Sequence, residues 1–318
     1  MCKAETMPLM RLTLMIICIG LLSPTILCGE KSIPRIVDCH VHLWDINRPE
    51  GLGWIKKDDS ILCKSFLPGD HESLFRANGV QCVVVVQAGQ SLPDNQWNLD
   101  ITKPHQNLFR GVVGNLSKIV GTDNFKPYFE GLCRDKRYLG YRLSGRYQKE
   151  LSVEFFRDLN HTAEMEKSID ILIGDFTLTD AHEIARKIPN LRIILNHIGG
   201  ITLTDAAPDR EWASQLRIIA ANKNVYCKVS GLFGRSQRQP APHDVNHYKA
   251  ALDHVFDCFG EDRLVFGSDW PVTETSGDYA TVIKLITSHF ESKGQLVLEK
   301  LFHKNAEQFY RIPAASTK

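Results

Sequence analysis

Short apolar runs rich in β-branched residues recur along this chain, separated by longer stretches whose apolar positions fall at helical spacing. The runs cover residues 36–39, 82–87, 109–115, 138–143, 170–173, 191–196, 225–229 and 263–267. Each is short for a helix, and most lack the polar alternation of a half-exposed strand, so they read as strands buried on both faces. Each interval leaves room for a helix and two loops. Residues 181–188 follow a Thr179-Asp180 start signal, and 248–259 carries apolar residues three and four apart. This alternation predicts an α/β fold of parallel βα units. Eight units predict a (β/α)8 TIM barrel over residues 35–312 as a single domain, with a further helix over 295–310 packed against it.

The first 29 residues do not fit that pattern. Arg11 precedes a segment without charge from Leu12 to Gly29 that contains the apolar run 12–22. This is the layout of an export signal, which predicts a secreted or periplasmic protein. The run is short for a membrane span of about 20 residues, and Pro24 breaks it. Leu27 departs from the small residues of a cleavage site, so an N-terminal membrane anchor, or a lipid on Cys28, stays open. Residues 313–318 are expected to be a tail.

Of nine cysteines, Cys2, Cys18 and Cys28 belong to this leading part. Cys39, Cys82 and Cys227 sit in strand runs and read as small buried hydrophobes. Export would allow one bridge from Cys63 to Cys133 or Cys258, and no Cys-x-x-Cys zinc spacing occurs. A formal net charge of +1 with ordinary composition excludes a nucleic-acid or anionic-membrane surface. The expected partner is a small molecule, with membrane contact only through the N-terminal segment, and exposed barrel helices could pair copies of the chain.

Candidate chemistry lies at the strand ends. Period-two alternation in Asp38-Cys39-His40-Val41-His42 points His40 and His42 one way and Cys39 and Val41 the other. The sixth run ends at Asn196-His197 and the eighth at Ser268-Asp269. In a barrel these tips converge on one mouth, so His40, His42, His197 and Asp269 can surround one point. Three imidazoles and a carboxylate make a four-ligand set for Zn²⁺ or a similar ion. Asp269 could equally take a proton from an attacking water. Each residue alone has an ordinary alternative: His-x-His spacing is common, and an aspartate before Pro271 caps helices.

Other residues are expected at the mouth. Gln87 reads as a hydrogen-bond partner for substrate or as a structural amide, and Lys228 as a buried cation whose partner is substrate or Asp269. Trp44 and Trp270 could stack on a sugar face or pack against the long loop 45–67, which carries Trp54 and reads as a lid or binding wall. Arg146 reads as a solvated charge, and His182, His247, His254 and His289 belong to the outer helices.

The chain resembles the amidohydrolase superfamily. The matching segments are Asp38-Cys39-His40-Val41-His42-Leu43-Trp44-Asp45, Gly140-Tyr141-Arg142, Asn196-His197-Ile198-Gly199, Cys227-Lys228-Val229-Ser230-Gly231-Leu232, Phe266-Gly267-Ser268-Asp269-Trp270-Pro271-Val272 and Asn305-Ala306-Glu307-Gln308-Phe309-Tyr310-Arg311. They resemble the amidohydrolase 2 branch, which holds sugar lactonases for L-fuconolactone and L-rhamnonolactone and 2-pyrone-4,6-dicarboxylate lactonase. The resemblance implies opening of a cyclic ester by water activated by one divalent metal, Zn²⁺, held by His40, His42 and His197, with Asp269 as general base and Arg142 binding substrate or steadying the oxyanion.

Two departures matter. Many superfamily members hold a second metal on a carboxylated lysine, but the fourth run offers Arg142, a permanent cation that cannot be a ligand. The fifth, Ile171-Leu172-Ile173-Gly174-Asp175, has no histidine. At most one metal is expected, and a metal-independent variant stays open. Amide hydrolysis or non-oxidative decarboxylation of an organic acid are the alternative reactions. Arg142 as the one readily placed cation favours a neutral sugar lactone over a dicarboxylate.

Overall fold

The computed structural model describes Met1 and residues 35–145 and 151–312. The expected leading segment 1–29, Met1 apart, lies outside the described residues, as do Arg146 and the tail 313–318. Strands β1 (Ile36–Val41), β2 (Val80–Val86), β3 (Phe109–Asn115), β4 (Tyr138–Leu143), β5 (Ser168–Ile171), β6 (Arg192–Leu195), β7 (Val225–Val229) and β8 (Leu264–Phe266) form one eight-stranded sheet in that order. Every neighbouring pair is parallel. The barrel closes where β1 meets β8 through a single parallel bridge between Val41 and Trp270. The predicted TIM barrel is therefore the fold.

Helices return the chain between strands: α1 (Pro68–Ala77), α2 (Pro93–Thr102), α3 (Phe125–Cys133), α4 (Val153–Glu164), α5 (Leu178–Lys187), α6 (Arg210–Ala220), the single turn α7 (Leu232–Arg235), α8 (Asn246–Phe259) and α9 (Tyr279–Phe290). Their starts follow local chemistry. Proline opens α1 and α2, where its missing N–H costs nothing. Ser152, Asp209 and Asp278 cap α4, α6 and α9. The α5 start lies before the expected Thr179-Asp180 signal, because Thr177 is the cap and Asp180 closes a capping box. The predicted terminal helix is divided into α10 (Gln295–Glu299), a wider π turn (Lys300–Lys304) and α11 (Asn305–Tyr310). No helix among the described residues is long and apolar enough to cross a membrane. All six described cysteines are free thiols, so the bridge that export would have allowed is not made.

Two apolar layers build the barrel. One lies between strands and helices. The smaller one fills the inside with Val37, Cys39, Val84, Val86, Val113, Leu139, Ile194 and Val265, and α11 plugs its base with Phe309 and Tyr310. Above that plug sits a buried polar layer. Lys228 and Asp170, both fully buried, pair at 2.5 Å. Lys228 also donates to the Cys39 carbonyl at 2.7 Å, while Tyr310 and Asn196 donate to the Asp170 carboxylate. The partner of Lys228 is thus Asp170, which corrects the expectation of substrate or Asp269. Asp170 sits mid-strand because the barrel interior supplies the cation a buried carboxylate needs.

A bulge corrects the simple alternation expected for β1. Asp38 pairs with Val83 and Val41 with Val85, so three steps along β1 face two along β2. Asp38 therefore faces the helix layer, where Tyr279 of α9 donates to its Oδ2 at 2.5 Å, while His40 faces the interior beside Lys228 and Asn196. Cys39 belongs to the interior layer as well, not to the opposite side from His40.

The Asp38 carboxylate also ties the seam, accepting the backbone N–H of His40 at 3.0 Å and of Ser268 at 2.9 Å through Oδ1. Replacing Asp38 by alanine leaves two backbone donors and the Tyr279 hydroxyl without their acceptor. The expected loss is about 3 kcal/mol or more, read as a lower urea midpoint. A shift below about 1 kcal/mol would show that the seam does not depend on this carboxylate.

Candidate active site

The ends of β1, β6 and β8 carry the predicted group to one point. Asp269 donates its backbone N–H to the His40 carbonyl at 2.8 Å, and His42 donates to the Trp270 carbonyl at 2.7 Å. These two bonds place the Asp269 carboxylate over both histidines. Its Oδ1 lies 3.3 Å from His42 Nε2, 3.7 Å from His40 Nε2 and 3.9 Å from His197 Nε2. The His40 ring centre is 4.9 Å from that of His42 and 4.5 Å from that of His197.

This convergence is held with local backbone strain. Asp269 (φ 63°), His197 (φ 51°) and Ile198 (φ 48°) all adopt left-handed backbone without being glycine. Gly231, just beyond β7, is required by the same packing. It has φ +66°, and a Cβ there would fall 2.3 Å from His197 Nδ1.

Hydrogen bonding separates the histidines. His42 Nδ1 donates to the Val86 carbonyl at 2.7 Å, so its Nε2 carries the lone pair and meets the carboxylate across 3.3 Å, where a cation can stand between two acceptors. His197 Nδ1 lies 3.0 Å from the Ser230 hydroxyl, which can serve either tautomer. His40 is different. Asn196 Nδ2 and Lys228 Nζ, each 3.4 Å from its Nδ1, are donors, so the neutral ring carries its proton on Nε2. That Nε2 is buried without a hydrogen-bond partner. His40, His197 and Asp269 place ligand atoms within 4.8 Å of one another, the spacing of a metal group. Proton placement nevertheless points to the lone pairs of His42 and His197, with the Asp269 carboxylate, as donors a divalent cation could use, while the His40 Nε2 proton lies beneath them, 3.7 Å from Asp269 and without a hydrogen-bond partner. The three lone-pair donors would leave a fourth position for water or substrate.

Charge in this group follows from burial. Desolvation, reinforced by Lys228 and the other imidazoles, holds the His40 pKa well below its ordinary value. Burial lowers that of His197 to about 4 against the pull of Asp269. Burial also opposes ionisation of Asp269, but His197, His42 and Arg142 outweigh it and keep the carboxyl below the usual range. A carboxylate that stays ionised at the floor of the cleft can accept a proton from water.

The site opens into a cleft of about 660 Å³ lined by His42, His197, Asp269 and Arg142. Loop 45–67 forms one wall with Glu50, Leu52 and Trp54, as expected. His40 lies below the floor and is fully buried. Three expected substrate contacts are placed elsewhere. Trp270 is fully buried against Phe66, His71 and Phe75, and Trp44 packs on Trp54 and Phe66, so neither offers a face to a sugar. Gln87 donates through its side-chain Nε2 to the Gly89 and Ser91 carbonyls and accepts Arg142 through its backbone carbonyl, so its amide nitrogen is tied to the loop after β2, while its Oε1 is buried without a partner. His182, His247, His254 and His289 lie on α5, α8 and α9, in the outer layer as expected. The cleft also contains Lys118 and Arg235, which the motifs did not mark. Arg235 follows Gly231 by one helical turn, and that spacing was the available signal.

Comparison with known proteins agrees with this architecture. The amidohydrolase family profile matches residues 37–312, and the chain belongs to that family of hydrolytic enzymes. L-fucono-1,5-lactonase of Burkholderia ambifaria is 29% identical over 294 residues, covering 88% of this chain and 97% of the relative. An amidohydrolase crystal structure from Burkholderia multivorans with bound HEPES shares the fold at TM-score 0.79 and 24% identity, covering 88% of this chain and 100% of that one. A second crystal structure, with bound zinc, has TM-score 0.75, 23% identity and the same coverage.

Folding keeps His197 neutral down to about pH 4, whereas the unfolded chain protonates it near the ordinary value of 6.5. His289, also lowered to about 4, has the same sign. Between these limits the unfolded state binds more protons, so stability is complete above about 6.5 and lost as pH falls toward 4. Chelated protein is expected to melt at progressively lower temperature across this window. His197→Asn, which cannot take the proton, should flatten the slope; an unchanged slope would contradict the assignment.

Proposed function

We propose that the protein hydrolyses a lactone, opening the cyclic ester by attack of one water at the carbonyl carbon. The observation that carries this reading is the ionised Asp269 carboxylate, set among imidazoles at the floor of a cleft that also presents Arg142. Its similarity to an L-fucono-1,5-lactonase along nearly the whole chain supports the same reaction class.

The ester binds with its carbonyl carbon near Asp269 and its carbonyl oxygen toward Arg142. Asp269 accepts the proton of the attacking water as the new C–O bond forms. Charge developing on the carbonyl oxygen is met by the Arg142 guanidinium, which stays cationic at any working pH. As the ring C–O bond breaks, Asp269 returns the proton to the departing ring oxygen. The product is a hydroxy acid that ionises at neutral pH. His40 holds its Nε2 proton toward Asp269 and stiffens the floor. One divalent cation, zinc by the character of the donors, fits at His42, His197 and Asp269, where it would polarise the carbonyl and acidify the water.

A panel of aldonolactones assayed with a pH indicator tests the reading. Asp269→Asn should lower kcat by about 1,000-fold or more, because it removes the proton acceptor and returns nothing to the leaving oxygen. Chelation should lower turnover at least about ten-fold, with recovery on adding zinc. Turnover that survives chelation but not Asp269→Asn would keep hydrolysis and remove the cation. Failure with every lactone would move the assignment to amide hydrolysis or decarboxylation.

A further inference from the structure

Charge within the cleft exceeds what opening a neutral lactone requires. Arg142 is only 6% exposed, yet among the described residues its one hydrogen bond is from Nη2 to the Gln87 backbone carbonyl at 2.8 Å, and its Nε has no acceptor. Arg235, half-buried on α7, reaches among the described residues only the Gly200 carbonyl at 3.2 Å and the Ile173 carbonyl at 3.5 Å. Among the described residues, neither guanidinium has a carboxylate at ion-pair distance. Lys118 adds an exposed ammonium at the rim. Of the two carboxylates in the lining, Glu50 is engaged by Arg48 at 3.0 Å, and Asp269 is surrounded by imidazoles.

Buried guanidinium groups do not shed their charge, and leaving them without an anion is costly. One of them suffices for the single charge created at the ester carbonyl. Arg142, at the end of β4, fits that task. Arg235 lies after β7, three strands further round the barrel, and serves a different part of the ligand.

Resting on the lactone reading, we propose that the substrate is an acidic lactone, bearing a carboxylate apart from its ester, and that Arg235 binds this carboxylate, with Lys118 guiding it from the rim. This replaces the neutral sugar lactone expected when Arg142 was the one cation in view. Uncharged hydroxyls would leave Arg235, which feels Asp269 only from beyond ion-pair distance, desolvated without a directly bonded anion, whereas a carboxylate offers its planar fork two charge-assisted bonds.

The experiment compares D-glucaro-1,4-lactone with D-glucono-1,4-lactone, which lacks the second carboxylate. The acidic lactone is expected to show a kcat/KM about ten-fold or more higher, a preference that shrinks in about 0.5 M NaCl. Arg235→Gln should collapse the preference mainly through KM, while Arg235→Lys retains part of it, which separates lost charge from a disturbed α7. Equal use of both lactones, or an Arg235→Gln effect equal on both, overturns the inference. Calorimetry with the ring-opened acids keeps the test independent of turnover. Glucarate binding that exceeds gluconate binding and requires Arg235 supports the charge assignment even if no lactone is hydrolysed, which would remove only the proposed reaction. Equal or absent binding of the two acids overturns it.

Discussion

The closing seam between β1 and β8 is the constraint on which both barrel and site depend. Seven strand pairs close by ordinary ladders, but the eighth contact is one bridge, reinforced by the buried Asp38 carboxylate and by backbone bonds from Asp269 to His40 and from His42 to Trp270. The residues that close the barrel are therefore the neighbours, or the backbone, of those proposed to carry the chemistry. An aspartate can hold this place because it accepts from two N–H groups and a hydroxyl, which compensates much of the cost of burying it. The bulge beside it frees Asp38 to face outward and His40 to face inward within one short strand.

Below the site, the Lys228–Asp170 pair extends the same control. Truncating one partner of such a pair strands a buried charge, whereas exchanging both for apolar groups can be tolerated by a fold. What an apolar exchange cannot reproduce here is the ammonium beside His40 Nδ1. That ammonium, with the Asn196 amide, selects the ring proton's position and so decides whether His40 offers a lone pair or a hydrogen to the floor of the cleft. Tyr310 connects this layer to the C-terminal plug, so the last helix reaches the site's chemistry through Asp170.

Local pattern made the barrel legible. Buried parallel strands are recorded as apolar runs, and all eight predicted runs overlap the observed strands. The four convergent residues were legible as well, because strand ends in a barrel share one mouth. Whatever depends on a partner far along the chain was not. Lys228 needed Asp170, which is 58 residues away. Trp270 is sequestered by aromatic rings from the α1 region, and the phase change in β1 follows from its register against β2. Arg235 lay on a one-turn helix whose orientation depends on Gly231 accommodating the His197 ring.

The charge balance of the cleft bears on turnover as well as recognition. Hydrolysing a neutral lactone creates an anion in a cationic cleft, so the product gains attraction that the substrate lacked and its release slows. On the proposed reading, an acidic lactone would enter with one carboxylate already at Arg235, and that contact would persist through the reaction as uniform binding. Only the newly formed carboxylate differs between substrate and product, and it arises beside ionised Asp269, where like charges oppose each other. On the proposed reading, a cleft with Arg235 engaged before the ester opens would limit the excess affinity for product, and the Asp269 charge proposed to accept the water's proton would also oppose the acid formed beside it.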